Sequence, residues 1–316
     1  MYKYIFGPVV SRRLGLSLGI DLVPFKTCPF DCVYCECGAT TNLTVKRAEY
    51  VPVDDVCTEI GTYMKTAESH PDYITFSGSG EPTLHTGIGE IIKYIKSSFP
   101  EQKIALLTNA ALLDDSSLRR DILGCDLIVP SLDAVSPQVF KNILGPHSSL
   151  DPQKIIDSIA ELRNEYSGKL VVELFIVPGQ NDTPEELALI KSALDKIRPD
   201  ALQINSLDRP GTSSMVTKPD DARLEQIAAF FDNVNVQLVK RPDYLVKTSQ
   251  GRELLRRKIV STVKRRPSTI DDLMVIVGIA RDELTAIIES YIDEGLIKAE
   301  EGERGTFYRA AKQEEY

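Results

Sequence analysis

Residues 27–35 read Thr27-Cys28-Pro29-Phe30-Asp31-Cys32-Val33-Tyr34-Cys35, and they follow a strand-like run at residues 16–22. The three cysteines stand at positions i, i+4 and i+7, so their thiolates can converge from one loop. Four of the six cysteines fall between residues 28 and 37, and such clustering favours a metal site over a disulfide framework. The spacing alone fits an iron–sulfur cluster with three protein ligands, a structural zinc, or an electron-transfer cluster that adds Cys37.

Outward from this loop, short strand-like runs alternate with longer helix-like runs over residues 15–240, which is typical of parallel βαβ construction. The strand candidates are residues 16–22, 73–77, 104–108, 127–131, 170–177, 201–206 and 236–239. The helix candidates are residues 53–65, 88–97, 116–123, 152–166, 184–197 and 220–232. This pattern predicts an α/β chain with a partial (β/α)6 barrel like that of TIM. Active residues are then expected at the C-terminal ends of the strands.

Polar and glycine-rich motifs follow three of these strands. The first is Gly78-Ser79-Gly80-Glu81-Pro82, whose glycines let the backbone approach a ligand, although a simple tight turn is the alternative. The next two are Thr108-Asn109 and Ser131-Leu132-Asp133, which suit a carboxylate and ribose hydroxyls but also occur as helix caps. All three motifs stand where a ligand of the barrel would bind.

Together, these motifs resemble the radical S-adenosylmethionine (SAM) superfamily, in which CxxxCxxC carries an aromatic residue before the last cysteine, as in Tyr34-Cys35. The resemblance implies a [4Fe–4S] cluster held by Cys28, Cys32 and Cys35, which are the catalytic and metal-binding residues. One iron then lacks a protein ligand and is open to the methionine amine and carboxylate of SAM. The zinc alternative loses weight because it has no use for the strand-end motifs.

The resemblance also implies which residues contact SAM. Gly80-Glu81-Pro82 matches the turn that holds the methionine amine, with Ser79 in place of the family's first glycine. The branch with molybdopterin-precursor cyclases and peptide-maturing enzymes has Thr-Asn-Gly and Ser-Leu-Asp at the next two strands, and here Ala110 replaces that glycine. The expected cofactor contacts are Tyr34, Gly78, Ser79, Gly80, Glu81, Thr108, Asn109, Ser131, Asp133 and Val177.

The stretch at residues 7–21 resembles a group often labelled wyosine-synthetase-like. The cysteine motif lacks the tryptophan flanks of a wyosine synthase, and the chain contains no tryptophan. The resemblance therefore implies an enzyme that cleaves SAM reductively to a 5′-deoxyadenosyl radical, which abstracts hydrogen from an unidentified substrate. An electron donor such as flavodoxin or ferredoxin is implied as a partner.

The pattern changes near residue 249 to three helices and a hairpin, which predicts a winged helix at residues 249–316 after a radical SAM domain at 1–248. The charged residues of the third helix are mostly acidic and would repel phosphate, which disfavours a DNA reader and favours docking of a peptide or protein, or self-association, with RNA docking left open. These acids are Asp282, Glu283, Glu289, Asp293 and Glu294. The alternative function is an iron–sulfur regulator or electron carrier whose winged helix binds DNA.

The formal net charge of −9 repels nucleic acid and anionic membranes over most of the surface. The longest apolar runs fall short of the about 20 residues that cross a bilayer, and no secretory signal is visible, so a cytoplasmic protein without a membrane partner is expected. Basic side chains near the cysteine motif could face an anionic substrate or be ordinary surface charge. They are Arg12, Arg13, Lys46 and Arg47.

Overall fold

The computed structural model describes residues 2–67, 70–207, 212–213, 216–239, 249–265, 267–277, 279–302 and 305–311. The chain divides into two compact units. The first comprises Met1–Val9 and Leu16–Val239, and the second comprises Val10–Gly15 and Lys240–Tyr316. The sequence-based boundary at residue 248 lies in a stretch outside the described residues, so it stays a prediction.

The strands up to residue 239 are β1 (Ile5–Ser11), β2 (Gly15–Asp21), β3 (Thr27–Cys28), β4 (Asn42–Leu43), β5 (Tyr73–Ser77), β6 (Ile104–Thr108), β7 (Leu127–Pro130), β8 (Lys169–Phe175), β9 (Ala201–Asn205) and β10 (Val236–Leu238). Eight of them form one sheet with the order β1-β2-β5-β6-β7-β8-β9-β10, while β3 and β4 form a separate pair. All pairings in the large sheet from β2 to β10 are parallel. The predicted α/β chain with a mainly parallel sheet is therefore confirmed.

Helices connect successive strands and bury one apolar face each. They are α1 (Val53–Thr66), α2 (Ile88–Ser98), α3 (Ser116–Ile122), α4 (Pro137–Leu144), α5 (Pro152–Glu165), α6 (Pro184–Ile197) and α7 (Asp221–Phe230), with a 3₁₀ turn at Pro82–Leu84. The start of α6 shows the local cause, because the Thr183 side chain accepts a hydrogen bond from the Glu186 backbone N–H and Pro184 occupies the first turn.

Register aligns apolar side chains across the sheet. Leu18, Ile74 and Ile104 lie side by side on β2, β5 and β6, and each is at most 1% exposed. Because side chains alternate along a strand, this face packs into the hydrophobic core, while Thr75 and its neighbours belong to the other face. Because the strands from β2 to β10 run parallel, their carboxyl ends meet at one edge of the sheet.

Helix α4 was not predicted, although the other helices of this unit agree with the sequence pattern within two residues. It has only eight residues, so its apolar positions Phe140, Ile143 and Leu144 span too few turns to show a period. Gly145 ends it with φ +51°, a left-handed conformation that glycine adopts without strain.

The second unit contains α8 (Ser249–Arg265), α9 (Ile270–Val277) and α10 (Arg281–Asp293), followed by the antiparallel hairpin of β11 (Ile297–Gly302) and β12 (Gly305–Ala310). It has a hydrophobic cluster of its own, in which Leu255, Ile259, Leu273, Leu284 and Ile288 are at most 1% exposed. This element order agrees with the sequence pattern.

None of the described helices combines the length and the apolar character needed to cross a membrane.

Candidate functional site

The cysteine loop, residues 26–43, follows β2 at the C-terminal edge of the sheet. The parallel pair of β3 and β4 joins its two ends, with Thr27 opposite Asn42 and Cys28 opposite Leu43. The Lys26 carbonyl also accepts hydrogen bonds from the Thr41 and Asn42 N–H groups. Backbone bonds therefore close the loop before any metal is considered.

Helix α4 supports the middle of the cysteine loop. The Asp31 N–H donates to the Leu144 carbonyl at 2.9 Å, and the Val33 N–H donates to the Ile143 carbonyl at 3.0 Å. The rings of Phe30 and Phe140 meet edge to face at 5.7 Å. A side chain at Gly145 would come within 2.8 Å of the Asp31 carbonyl, so close backbone approach requires glycine there.

The sulfur atoms of this loop have polar neighbours. Lys26 Nζ donates to Cys35 Sγ at 2.9 Å, and Asn109 Nδ2 donates to Cys28 Sγ at 3.4 Å. Thiolates that bind a metal are stabilised by such donors.

The three thiols differ in acidity. Burial raises the pKa of Cys28 to about 12, with the Glu81 charge acting in the same direction. Burial also raises the pKa of Cys32. Hydrogen bonds from Cys37 and then Lys26 lower the pKa of Cys35 to about 5, against the effect of burial. Metal binding displaces thiol protons, and the Lys26 ammonium group beside Cys35 favours the thiolate form of that residue.

Cys37 lies beside the site as an exposed residue, and its hydrogen bond to Cys35 raises its own pKa. Within the described residues, no group of three or more histidine, cysteine or acidic side chains is gathered tightly enough to hold a single metal ion. A cubane needs no such convergence, because each of its thiolate ligands binds a different iron. The donor set of three thiolates fits that group.

Glu81 braces the neighbouring strand ends. Its Oε1 accepts hydrogen bonds from the Thr83 N–H and hydroxyl, at 3.1 and 2.5 Å, and from the Thr108 hydroxyl at 2.7 Å. Its Oε2 accepts from the Asn109 N–H at 2.8 Å, and its own N–H donates to the Thr27 carbonyl. Burial raises the pKa of Glu81, and the bonds from Asn109 and Thr83 oppose that shift. Glu81 thus joins the cysteine loop to the ends of β5 and β6.

The glycine-rich turn packs against the end of β2. Asp21 Oδ2 accepts hydrogen bonds from the Ser79 N–H at 3.2 Å and from its hydroxyl at 2.8 Å. Gly78 has φ +117°, and a side chain there would come within 2.6 Å of the Asp21 carboxyl group. A side chain at Gly80 would come within 2.3 Å of the Thr27 carbonyl. Glycine is therefore required at position 78 for the turn to pack on Asp21 and at position 80 for it to reach the cysteine loop.

Tyr34 anchors the middle of the cysteine loop, next to Cys35. Its ring stacks on Phe175 with centroids 4.1 Å apart, and its hydroxyl donates to Asp133 Oδ2. Asp133 Oδ1 accepts from the Phe175 N–H at 2.7 Å. Burial raises the pKa of Asp133 to about 6. The carboxyl group therefore links the loop to the ends of β7 and β8.

This arrangement of thiols, glycine-rich turn and polar strand ends has counterparts among known proteins. A profile of the radical SAM superfamily matches residues 22–190. The chain belongs to the radical SAM superfamily. It is a radical SAM enzyme, and the family implies a [4Fe–4S] cluster and SAM as its cofactors.

Relatives cover most of this radical SAM chain. A protein named UPF0026 of Methanocaldococcus jannaschii is 30% identical and covers 93% of this chain and 92% of its own length. A protein named GTPase Obg of Brachyspira hyodysenteriae is 32% identical over 94% of this chain, which spans only 44% of that relative. A radical SAM methyltransferase of Sphaerobacter thermophilus shares the fold, with a TM-score of 0.57 and 13% identity over 70% of this chain and 66% of its own.

The radical SAM enzyme brings the sequence-predicted residues to one edge, but in different settings. Glu81, Thr108 and Asp133 are at most 4% exposed and bond to protein groups, whereas Ser79, Gly80, Asn109 and Ser131 are half-buried and Gly78 is exposed. Val177 is buried in a tight turn, where its N–H donates to Asn181 Oδ1 at 2.7 Å. Their roles toward SAM stay predictions.

Sequence reasoning missed three residues of the site, namely Lys26, Asp21 as the partner of Ser79, and Phe175. No local pattern marks them. Asp21 and Phe175 contact residues far along the chain, and Lys26 reaches Cys35 only because its backbone adopts a left-handed conformation. Of the basic residues near the motif, Arg47 is tied down by Asp115 at 3.0 Å and by the Thr83 carbonyl. The charge of Arg47 is therefore paired within the protein and is not a free cation.

Proposed function

We propose that this enzyme holds the cluster through Cys28, Cys32 and Cys35 and acts on a peptide or protein substrate. The observation that carries the first part is a closed loop with three thiols, in which side-chain donors contact the sulfurs of Cys35 and Cys28. When bound, the cluster, reduced by a donor such as flavodoxin or ferredoxin, supplies one electron that breaks the sulfur–C5′ bond of SAM, and the resulting 5′-deoxyadenosyl radical takes a hydrogen atom from the substrate.

The residues of the chain itself bind and orient. We infer that the backbone of Gly78–Gly80 faces the methionine part of SAM, because glycines leave it accessible there. Ser131 at the end of β7 and the turn at Val177 stand where the nucleoside would lie. Glu81 and Asp133 hold these strand ends and the cysteine loop in fixed positions, which is the preorganisation that such chemistry requires.

Anaerobic reconstitution with iron and sulfide, followed by dithionite and SAM, tests the proposal. We expect 5′-deoxyadenosine from the wild type and from Cys37→Ala, and none from Cys32→Ala, which should also lose most of its iron. An enzyme that carries a full cluster but releases no 5′-deoxyadenosine would refute the proposed chemistry.

The second unit is proposed to be a winged helix that docks the substrate. On α10, Arg281 pairs with Asp271, while Asp282, Glu283 and Glu289 are exposed, so this surface repels phosphate. These contacts support a basic peptide or protein partner over a nucleic acid. The regulator that reads DNA through this helix is disfavoured for the same reason.

The docking proposal is tested by fluorescence anisotropy of the full chain with labelled ligands. A Lys-rich peptide library should bind more tightly than duplex DNA or total RNA, and the affinity should fall when Asp282 and Glu283 are both changed to Lys. Preferential binding of RNA that survives these substitutions would overturn the peptide proposal.

We also propose a cytoplasmic location, since the cysteines must stay reduced to bind iron.

A further inference from the structure

Lys26 has an unusual position for a lysine. It stands two residues before Cys28, and its side chain is only 2% exposed. Lysine is almost never fully buried unless its charge has a partner. In the described part of the chain its ammonium group meets no carboxylate, and its hydrogen bond goes to the Cys35 sulfur at 2.9 Å. A ligand sulfur therefore takes the place of the usual ion-pair partner.

The backbone of Lys26 directs the side chain to this position. Its φ is +56°, the left-handed region that glycine adopts more easily than any residue with a side chain. The conformation is held by its N–H, which donates to the Ser79 carbonyl at 3.1 Å, and by its carbonyl, which accepts from Thr41 and Asn42. A side chain kept at a position that suits glycine points to a use for that side chain.

The charges nearby make this cation distinctive. Carboxyl groups of Asp21, Glu81 and Asp133 bond to residues in or next to the cysteine loop, so Lys26, which contacts the Cys35 sulfur, is a cation among anionic groups. One-electron reduction of a cluster adds negative charge, which a nearby cation stabilises strongly in a low-dielectric site. Hydrogen bonds to ligand sulfurs raise the reduction potential of iron–sulfur clusters in the same way.

We propose that Lys26 is a positioning residue that raises the reduction potential of the cluster through its charged hydrogen bond to Cys35. This inference rests on the proposed cluster site at Cys28, Cys32 and Cys35. It names a residue that sets how easily an electron donor reduces the cluster, independently of the substrate.

The test compares three variants loaded with a cluster and studied without SAM. Lys26→Met removes the donor and the charge, Lys26→Arg keeps both, and Lys93→Met removes a charge from the exposed side of α2 as a control. Iron content and the midpoint potential from titration followed by electron paramagnetic resonance are measured. We expect a more negative midpoint for Lys26→Met only. A fully loaded Lys26→Met with the wild-type midpoint would overturn the proposal.

A second measurement does not depend on the folding of Lys26→Met. In wild-type protein grown with ¹⁵N-lysine, pulsed electron paramagnetic resonance of the reduced cluster should show a ¹⁵N coupling that is lost in Lys26→Arg. Absence of that coupling in the wild type would refute the contact. The coupling is measured without SAM, and the same wild-type protein is then given dithionite and SAM. A wild type that shows the coupling but then releases no 5′-deoxyadenosine would refute only the proposed chemistry. A wild type that loads no cluster would refute both.

Discussion

Single carboxyl groups hold the site together. Glu81 and Asp133 are each at most 3% exposed, and each bonds to groups from two or more segments of the chain. Buried charge is tolerated only when donors surround it. Their removal should therefore be felt as lost stability or altered pH dependence before any effect on chemistry is considered.

Glu81→Gln should lower the free energy of unfolding by about 1–3 kcal/mol, because an amide N–H would then face another donor in a buried position. The control is Glu101→Gln, whose side chain is exposed and should change stability by less than about 0.5 kcal/mol. Urea unfolding under identical anaerobic conditions measures both. Equal stability of Glu81→Gln and the wild type would show that the four hydrogen bonds are not needed.

Asp133→Asn should alter the pH dependence of stability. The pKa of Asp133 is raised from 3.8 to about 6 in the folded state, so the folded chain binds more protons than the unfolded chain between these values. Stability of the wild type therefore falls as pH rises through this range, by about 1 kcal/mol between pH 5 and 7.5. The neutral amide lacks this loss. Urea unfolding at pH 5 and 7.5 should show that the variant loses less free energy of unfolding than the wild type between the two pH values. Equal losses in the two proteins would contradict the raised pKa of Asp133.

Among the elements, α4 is short but central to the site, because its last residues hold the middle of the cysteine loop. The helix ends also carry the clearest local energetics. Arg198 caps the C-terminus of α6 with φ +56°, a conformation that is strained for a residue with a side chain. Glycine is the usual residue at such a position.

Arg198→Gly should raise the free energy of unfolding by about 1 kcal/mol, since it relieves the left-handed strain at an exposed position. Arg198→Ala is the matched control, because it removes the hydrogen bond to Asn164 but keeps the strain. We expect thermal stability to decrease from the glycine variant to the wild type with arginine and then to the alanine variant. A glycine variant that melts below the alanine variant would contradict this explanation.

At the scale of the whole molecule, the two hydrophobic clusters share no residue among those described. Each unit therefore has a core of its own, with Leu174 fully buried in the first and Leu284 in the second. Units with separate cores can unfold in separate transitions.

Leu284→Ala should lower the stability of the second unit by about 2–5 kcal/mol, because it leaves a cavity in that core. The matched variant Leu174→Ala should act on the first unit only. Differential scanning calorimetry of the full chain would show a different transition shifted in each case. A common shift of the whole profile by both variants would mean that the units unfold together.

The sequence by itself determined the parallel α/β architecture and singled out Cys28, Cys32 and Cys35, since spacing and periodicity are local properties that one strand or loop displays alone. Only the tertiary structure decided what surrounds those cysteines. Lys26 donates a hydrogen bond to Cys35, and Phe175 stacks on Tyr34. Helix α4 contacts the loop although the two are more than 100 residues apart in the sequence. Such contacts depend on strand register and on packing between distant segments, and neither leaves a periodic trace in the chain.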